Sequence, residues 1–473
     1  MSGSQPWESL DSRPIAEWFR DAKFGVYFHW GPYSVPAYGS EWYPRRMYKE
    51  GTDEYEHHRQ EYGDQSEAGY HEFIPEFDGE NFDADRWARL CADAGAEFVG
   101  VTAIHHDGFA LWDSDLTEWN AANMGPGRDI VGELAEAVRE HDMKFVTAFH
   151  HAWNWWYYPR DEEYHTTDPE YAGLYGQPHE EGEDPPEEYY ADWRDKTIEV
   201  VDEYRPDLLW FDFGWGLSQF VEHDEYRREV VSHYYDRADG WGKEVGIAHK
   251  RNLPVGVGIL DYERSRREEI ANQPWLTDTS VDRKSWGYVE DPDFKDTGTL
   301  VTGFVDRVSK NGNTLMNVGP RPDGTIPDEA EALLRGFGDW YGTNEDAIAG
   351  TRPWWTFGEG PTEVTSGEFE EASSVEFTPD DVRFTRKGDA AYAVLLGWPE
   401  DGVVEIETPL HERATGRGDG RATDPVAPES VELLGADRQV DWELDHDSDV
   451  LRVTLPPEAP ENLDHAYALR MVV

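Results

Sequence analysis

The residues with the most evident chemical capacity stand where short apolar runs end. Such runs close at His29-Trp30, at His105-His106-Asp107, at His150-His151 with Trp153 nearby, and at Asp212 within Trp210-Phe211-Asp212-Phe213-Gly214-Trp215. An Asp flanked by aromatic residues is costly to bury unless donors or a chemical task compensate it. Its ordinary alternative is a cap on the loop or helix that follows. Adjacent histidines point to opposite sides of an extended chain, and the i, i+4 helical pair typical of metal sites is absent, so hydrogen bonding explains them better than metal ligation. A neutral imidazole offers one donor and one acceptor, while Trp and Tyr offer flat apolar faces, a combination suited to the hydroxyls and ring of a sugar. A carboxylate, histidines and aromatic rings gathered at one mouth point to glycoside hydrolysis, with metal-dependent hydrolysis a weaker alternative. No metal or other cofactor is expected.

These residues need a scaffold that collects strand ends. From Trp18 to Arg352, apolar runs at 23–29, 97–104, 144–149 and 207–212 alternate with amphipathic helical stretches. Between the second and third runs, Ile130, Leu134, Ala137 and Val138 recur at helical spacing, which makes a β-α-β unit. The pattern predicts an α/β fold, a (β/α)8-like barrel of the TIM type over residues 1–352, whose chemistry gathers at the C-terminal ends of the strands. The apolar run 255–260 reads as a further barrel strand, and the acidic stretch 161–188 as a long surface loop. Beyond Arg352-Pro353 the pattern changes to alternating strands around 382–396, 402–408 and 450–455, which predicts a C-terminal antiparallel β-sandwich over 353–473. The Gly- and Arg-rich stretch 415–423 reads as a loop.

Composition narrows the partners. The 473 residues carry 99 Asp and Glu against 42 Lys and Arg, a formal net charge of −57. A polyanion or an anionic membrane surface would be repelled, so neither nucleic acid nor membrane is an expected partner. With 38% hydrophobic residues and 21 Trp the chain can bury a core, unlike a disordered acidic chain. So acidic a surface repels itself in dilute buffer and is tolerated where salt screens it, the Debye length being about 3 Å at 1 M. A high-salt cytoplasm is therefore the expected setting; the first residues lack a basic, apolar leader and no segment is long and apolar enough to span a bilayer. Homo-oligomers are expected only where salt lets like-charged subunits meet. Cys91, the single cysteine, reads as a small buried side chain with no chemistry.

Several blocks together resemble the α-L-fucosidases of glycoside hydrolase family 29: 18–36, Ser40-Glu41-Trp42-Tyr43, 105–109, 125–129, 209–212, Ser285-Trp286-Gly287-Tyr288, 311–320, 323–327 and 350–354. They occur in family order across most of residues 15–355. The resemblance implies a retaining exo-α-L-fucosidase acting on terminal fucose of an oligosaccharide or glycoside, with Asp212 as nucleophile. It implies a fucose pocket lined by His29, Glu41, Trp42, His105, His106 and Trp210, with Arg251 near the nucleophile and Trp286 near the C5-methyl group. Many relatives read Trp-Glu-Thr-Cys where this chain has Trp275-Leu276-Thr277-Asp278, so Leu276 stands in the place of a glutamate and cannot transfer a proton. The acid/base is assigned to Glu263, ahead of Asp278 and Asp261; Glu268 and Glu269 read as a solvated face. A glycosidase for another 6-deoxy or galacto-configured sugar and a catalytically silent fucose-binding protein are the alternatives, the second motivated by Leu276. The C-terminal sandwich resembles the family's accessory domain.

Overall fold

A computed structural model describes residues 5–367, 369, 375–407, 427–436, 438–460 and 463–472; the stretch 415–423 lies outside them. Eight parallel strands form the first sheet: β1 (Phe24–Phe28), β2 (Phe98–Ile104), β3 (Lys144–Phe149), β4 (Leu208–Phe211), β5 (Gly246–His249), β6 (Ile259–Leu260), β7 (Trp275–Ser280) and β8 (Gly312–Val318). Their spatial order is β6-β5-β4-β3-β2-β1-β8-β7. The ring closes between β6 and β7 through chain just beyond β6: Asp261 bridges Leu276, Tyr262 N donates to Leu276 O at 3.0 Å, and Arg264 N donates to Asp278 O at 2.9 Å. The result is the expected (β/α)8-like barrel, with a short sixth strand at its seam.

Alternation along each strand divides the side chains between two cores. Tyr27, Phe98, Val146, Ala148, Leu208, Trp210, Ala248, Ile259, Leu276 and Leu315 fill the barrel interior, plugged below by Ala16, Phe19 and Ala22. The intervening Val26, Val99, Phe145, Leu209 and Ile247 belong to the larger core under the outer helices. Gly25 has to lack a side chain, because a Cβ there would lie 2.2 Å from the Phe98 ring. The helix Ile130–Glu140 matches the predicted one, and Asp129 of the 125–129 block caps it, accepting from Gly132 N at 2.9 Å.

Two expectations about connections need correction. The stretch 161–188 is not loop throughout: it contains short helical turns at His165–Thr167, Pro169–Tyr171 and Ala172–Tyr175, pinned by the buried Leu174 and Tyr175. Of the run 255–260 only Ile259 and Leu260 form a strand, and Val255 is fully exposed. Positive φ at Gly256 and Gly258 breaks the run into a turn that pattern alone read as extended chain.

The second unit begins with β9 (Arg352–Glu359) and continues through β10 (Val382–Lys387), β11 (Ala390–Leu395), β12 (Val403–Ile406), β13 (Ser430–Leu433), β14 (Arg438–Gln439), β15 (Asp441–Asp445), β16 (Val450–Thr454) and β17 (Tyr467–Val472). A six-stranded sheet, β14-β13-β17-β11-β10-β9, faces a three-stranded one, β12-β16-β15, in which every pairing is antiparallel. Their inner faces share a core that includes Phe384, Val404, Leu433, Val453 and Leu469.

A buried ionic cluster joins the two units. Asp306, on the helix Thr297–Ser309, accepts from Lys310 Nζ at 2.8 and 2.9 Å and from Arg383 Nε of β10 at 2.7 Å. Burial alone would raise the Asp306 carboxyl, but the Lys310 and Arg383 charges outweigh it and hold it below its usual range. Replacing Asp306 by Asn removes the counter-charge from two buried cations and should cost about 3–5 kcal/mol of unfolding free energy in denaturant titrations at neutral pH. Because the folded pKa is depressed, the wild-type advantage is present above the unfolded carboxyl pKa of about 3.9 and should shrink as pH falls through the lower folded value.

Candidate active site

Every barrel strand delivers a polar group to the mouth, and most do so by the same step of two residues from an interior apolar side chain. Tyr27 leads to His29, Ala148 to His150, Trp210 to Asp212, Ala248 to Lys250 and Leu276 to Asp278. Leu315 leads to Asn317, and Ile259 to Asp261 and then Glu263. At β2 the register shifts between Thr102 and Ile104, so His105 and His106 follow an irregular strand end and both reach the cavity. The rule of opposite faces holds instead for His150 and His151: the first meets Asp212, the second packs against the helix Glu187–Tyr204 at Trp193 O.

A small cavity lies at this mouth. His29, Glu41, Trp42, His105, His106, Trp210 and Trp286 all line it, with Asp212, Glu263 and Asp278. So do His150, Phe213 and Lys250, which the sequence reading left out of the site. Arg251 does not. His249 turns outward to Val257 O, alternation sends Lys250 inward, and Arg251, at φ 57°, turns out to stack its guanidinium 5.2 Å from the centre of the Tyr262 ring. The cation beside the carboxylates is therefore Lys250, and the expectation for Arg251 is corrected by one residue. A cation at the end of an apolar strand, one step past His249, was the available signal.

Asp212 is buried and held from three sides. Its Oδ2 lies 3.0 Å from His150 Nδ1 and 3.2 Å from His106 Nε2, and its Oδ1 lies 3.1 Å from Lys250 Nζ. Burial would raise its pKa, but Lys250 and then the two imidazoles outweigh that and keep the carboxyl well below its ordinary range. Lys250 Nζ also reaches Glu263 Oε2 at 2.5 Å and Asp278 Oδ2 at 3.4 Å. Desolvation would discharge this amine; Asp212, Asp278 and Glu263 keep it charged, well above its usual pKa. Burial, with the charge of Asp212, raises Glu263 despite the opposing ammonium. Asp278 is raised by burial to about 6 and receives the Tyr27 hydroxyl at 3.3 Å.

Asp261 lies below the cavity, where its Oδ1 accepts from Asp278 N at 3.0 Å and its Oδ2 from the Trp210 indole. Burial and the neighbouring Asp278 charge push it well above the carboxylate range. Glu268 and Glu269 are exposed, and Leu276 sits in the barrel interior.

Three imidazoles of the wall are neutral. Desolvation lowers His29 and His105 far below their ordinary pKa and His150 to about 4. Asn317 orients His29 through a 2.8 Å contact to Nδ1, and donates through its own amide to Trp286 O and Ser280 Oγ. Glu41 Oε2 accepts from Trp286 N at 2.9 Å, fixing the loop that carries that indole. His105 Nδ1, His106 Nδ1 and His150 Nε2 have no hydrogen-bond partner among the described residues, the condition of a wall built to meet hydroxyl groups. The donor atoms of His29, His105 and His150, and those of His106, His150 and Asp212, lie within 4.8 Å of one another, so a divalent cation could be accommodated by spacing.

A neutral hydrogen-bonding wall, an ionised carboxylate and a second, raised carboxyl across one ammonium form a glycosidase constellation. Residues 2–346 match the family model described as alpha-L-fucosidase, and residues 376–472 match that of the alpha-L-fucosidase C-terminal domain. The chain belongs to the alpha-L-fucosidase family. It is a glycoside hydrolase. It is 31% identical over 480 residues to the tissue alpha-L-fucosidase of Bos taurus, covering 98% of this chain and 89% of that one, and 30% identical to the human tissue enzyme over 98% and 90%. Among solved structures it resembles the alpha-fucosidase of Thermotoga maritima in complex with a mechanism based inhibitor (TM-score 0.78, 28% identity, all of both chains) and in complex with fucose (TM-score 0.77, 29% identity, 99% of each).

Replacing Lys250 by Met should lower kcat and move the acidic limb of the kcat/KM profile upward by about one pH unit or more, because Asp212 loses the cation that depresses its pKa. A pH series on an aryl α-L-fucoside measures both effects; an unmoved acidic limb would show that the ammonium does not set the charge of Asp212.

Proposed function

We propose that this chain is a retaining exo-α-L-fucosidase with Asp212 as nucleophile and Glu263 as acid/base. One observation carries the assignment: a single ammonium, Lys250, touches Asp212 Oδ1 at 3.1 Å and Glu263 Oε2 at 2.5 Å. Their oxygens are thus less than about 6 Å apart, near the 5–5.5 Å of retaining glycosidases and short of the spacing that leaves room for an inverting water. The small cavity, closed by the imidazole wall, suits one terminal sugar ring, with His29, His105 and His106 toward its hydroxyls and Trp42, Trp210 and Trp286 as apolar faces.

In the first step the Asp212 carboxylate attacks the anomeric carbon, the bond from that carbon to the leaving oxygen breaks, and the Glu263 proton passes to the departing oxygen. The ester that forms removes the charge of Asp212, which had been raising Glu263. The pKa of Glu263 then falls, so that after giving up its proton it stays ionised and can take one from the incoming water. Water oxygen bonds to the anomeric carbon, the ester bond breaks, and fucose leaves with its configuration retained. Glu263 is favoured over Asp278 because its side chain keeps 19% exposure and can meet the leaving group, whereas that of Asp278 keeps 2% and receives Tyr27 within the wall.

Hydrolysis of p-nitrophenyl α-L-fucoside by variants tests these roles. Asp212→Ala should lose about 10⁴-fold or more in kcat and return with azide as the β-fucosyl azide. Glu263→Ala should lose about 10²–10⁴-fold on substrates with poor leaving groups, and on the p-nitrophenyl substrate azide should restore its turnover as the α-fucosyl azide. Asp278→Ala giving the α-azide in place of Glu263→Ala would move the acid/base to Asp278, and fucose binding by folded wild type without turnover would support a silent binding protein.

The setting proposed is a salt-rich cytoplasm, supported by the net charge of −57. Activity and thermal midpoint should both rise from dilute buffer to multimolar KCl, and sedimentation over the same range should show whether subunits associate only when screened. A midpoint highest in dilute buffer would refute the halophilic reading.

A further inference from the structure

Glu263 lies beyond the end of β6, outside regular structure, yet its carboxyl has to meet a leaving group. On one side the backbone around it is tied to β7: Tyr262 N to Leu276 O, Arg264 N to Asp278 O, and Ser265 N to Thr277 Oγ1 at 3.1 Å. On the other side runs a segment about a hundred residues later in the chain, beyond β9.

That segment is anchored at both ends. In the second unit, Asp381 accepts from Thr362 N at 3.1 Å and from Thr362 Oγ1 at 2.6 Å. At the barrel, Phe369 N donates to Glu263 O at 3.0 Å, Ser265 Oγ donates to Gly367 O at 2.7 Å, and Gly367 forms an antiparallel bridge with Arg266. Ser366 and Glu268 bond reciprocally, Glu268 N to Ser366 Oγ at 2.8 Å and Ser366 N to Glu268 Oε1 at 3.1 Å. Two residues at this junction hold unfavourable backbone angles, Arg264 at φ 44° and Phe369 at φ 62°. Non-glycine residues persist there only where surrounding bonds over-determine them. Phe369 is 56% exposed, so core burial is not what holds it.

We infer that Ser366, Gly367 and Phe369 of the interdomain segment form a positioning element for the acid/base, clamping the backbone of Glu263 so that its carboxyl faces the leaving group. The inference rests on Glu263 being the acid/base. It gives the second unit a part in the reaction that the seam hydrogen bonds to β7 do not supply.

A misplaced acid matters in proportion to how much protonation the leaving group needs. The experiment compares kcat/KM on a dinitrophenyl fucoside, which leaves without help, and on a fucosyl disaccharide, for wild type, Glu263→Ala, Ser265→Ala, Ser265→Thr and Phe369→Pro. Ser265→Ala removes the hydroxyl donated to Gly367; Phe369→Pro removes the N–H donated to Glu263 and cannot adopt the native φ. Both should fall about tenfold to a hundredfold on the disaccharide while staying within about twofold on the activated substrate, and Ser265→Thr should recover most of the loss. If Phe369→Pro does not fold, the two Ser265 variants carry the test alone. Equal losses on both substrates, or no loss in Ser265→Ala beside a full leaving-group dependence in Glu263→Ala, would overturn the inference. Absence of that dependence in Glu263→Ala would overturn the assignment of Glu263, and the positioning role with it.

Discussion

Lys250 is the charge around which the catalytic mouth is organised. Asp212, Glu263 and Asp278 each lie within 3.4 Å of its ammonium, and Asp261 lies just beneath them. Four carboxyl groups around one cation cannot all be ionised in a buried site, so the arrangement forces a division of protons. Asp212, with two imidazole contacts besides the ammonium, keeps its charge; the others are pushed toward the protonated form. Carboxyl groups of opposite protonation state thus arise from the same residue types, through unequal shares of one cation.

That division depends on the barrel geometry. Strand alternation sends apolar side chains into the interior and the residue two steps later into the cavity, so the apolar layer also serves as the floor of the polar site. Trp210 shows the coupling: its ring lies 5.0 Å below the ammonium of Lys250, and its indole N–H donates to Asp261. At the seam, where β6 has only two residues, closure is made by the segment that carries Asp261 and Glu263. At that seam a segment from the second unit is laid against the first.

The surface and the pocket use charge in opposite ways. The exterior carries the large acidic excess, whereas His29, His105 and His150 are kept neutral by desolvation. Neutral imidazoles can donate and accept without adding a cation to a site whose electrostatics are already set by Lys250. Salt that screens the exterior therefore leaves the buried pairs largely untouched.

Much of this was legible in the sequence because strand alternation and strand ends are local properties. His29, His105, His106, Trp210 and Asp212 could be placed at a barrel mouth from the runs they terminate, and family blocks added Glu41, Trp42 and Trp286, whose loops no periodicity describes. Lys250 was missed in favour of Arg251 because a left-handed turn, invisible in residue type, decides which neighbour faces inward. The run at 255–260 was overread as a strand because hydrophobicity does not reveal φ at its glycines. Asn317, the shared ammonium and the clamp on Glu263 join residues tens to hundreds of positions apart. The sequence by itself determined the barrel, the sandwich and the polar residues available at each strand end; only tertiary structure decided which carboxyl groups share a cation, since that is set by distances between strands and not along one.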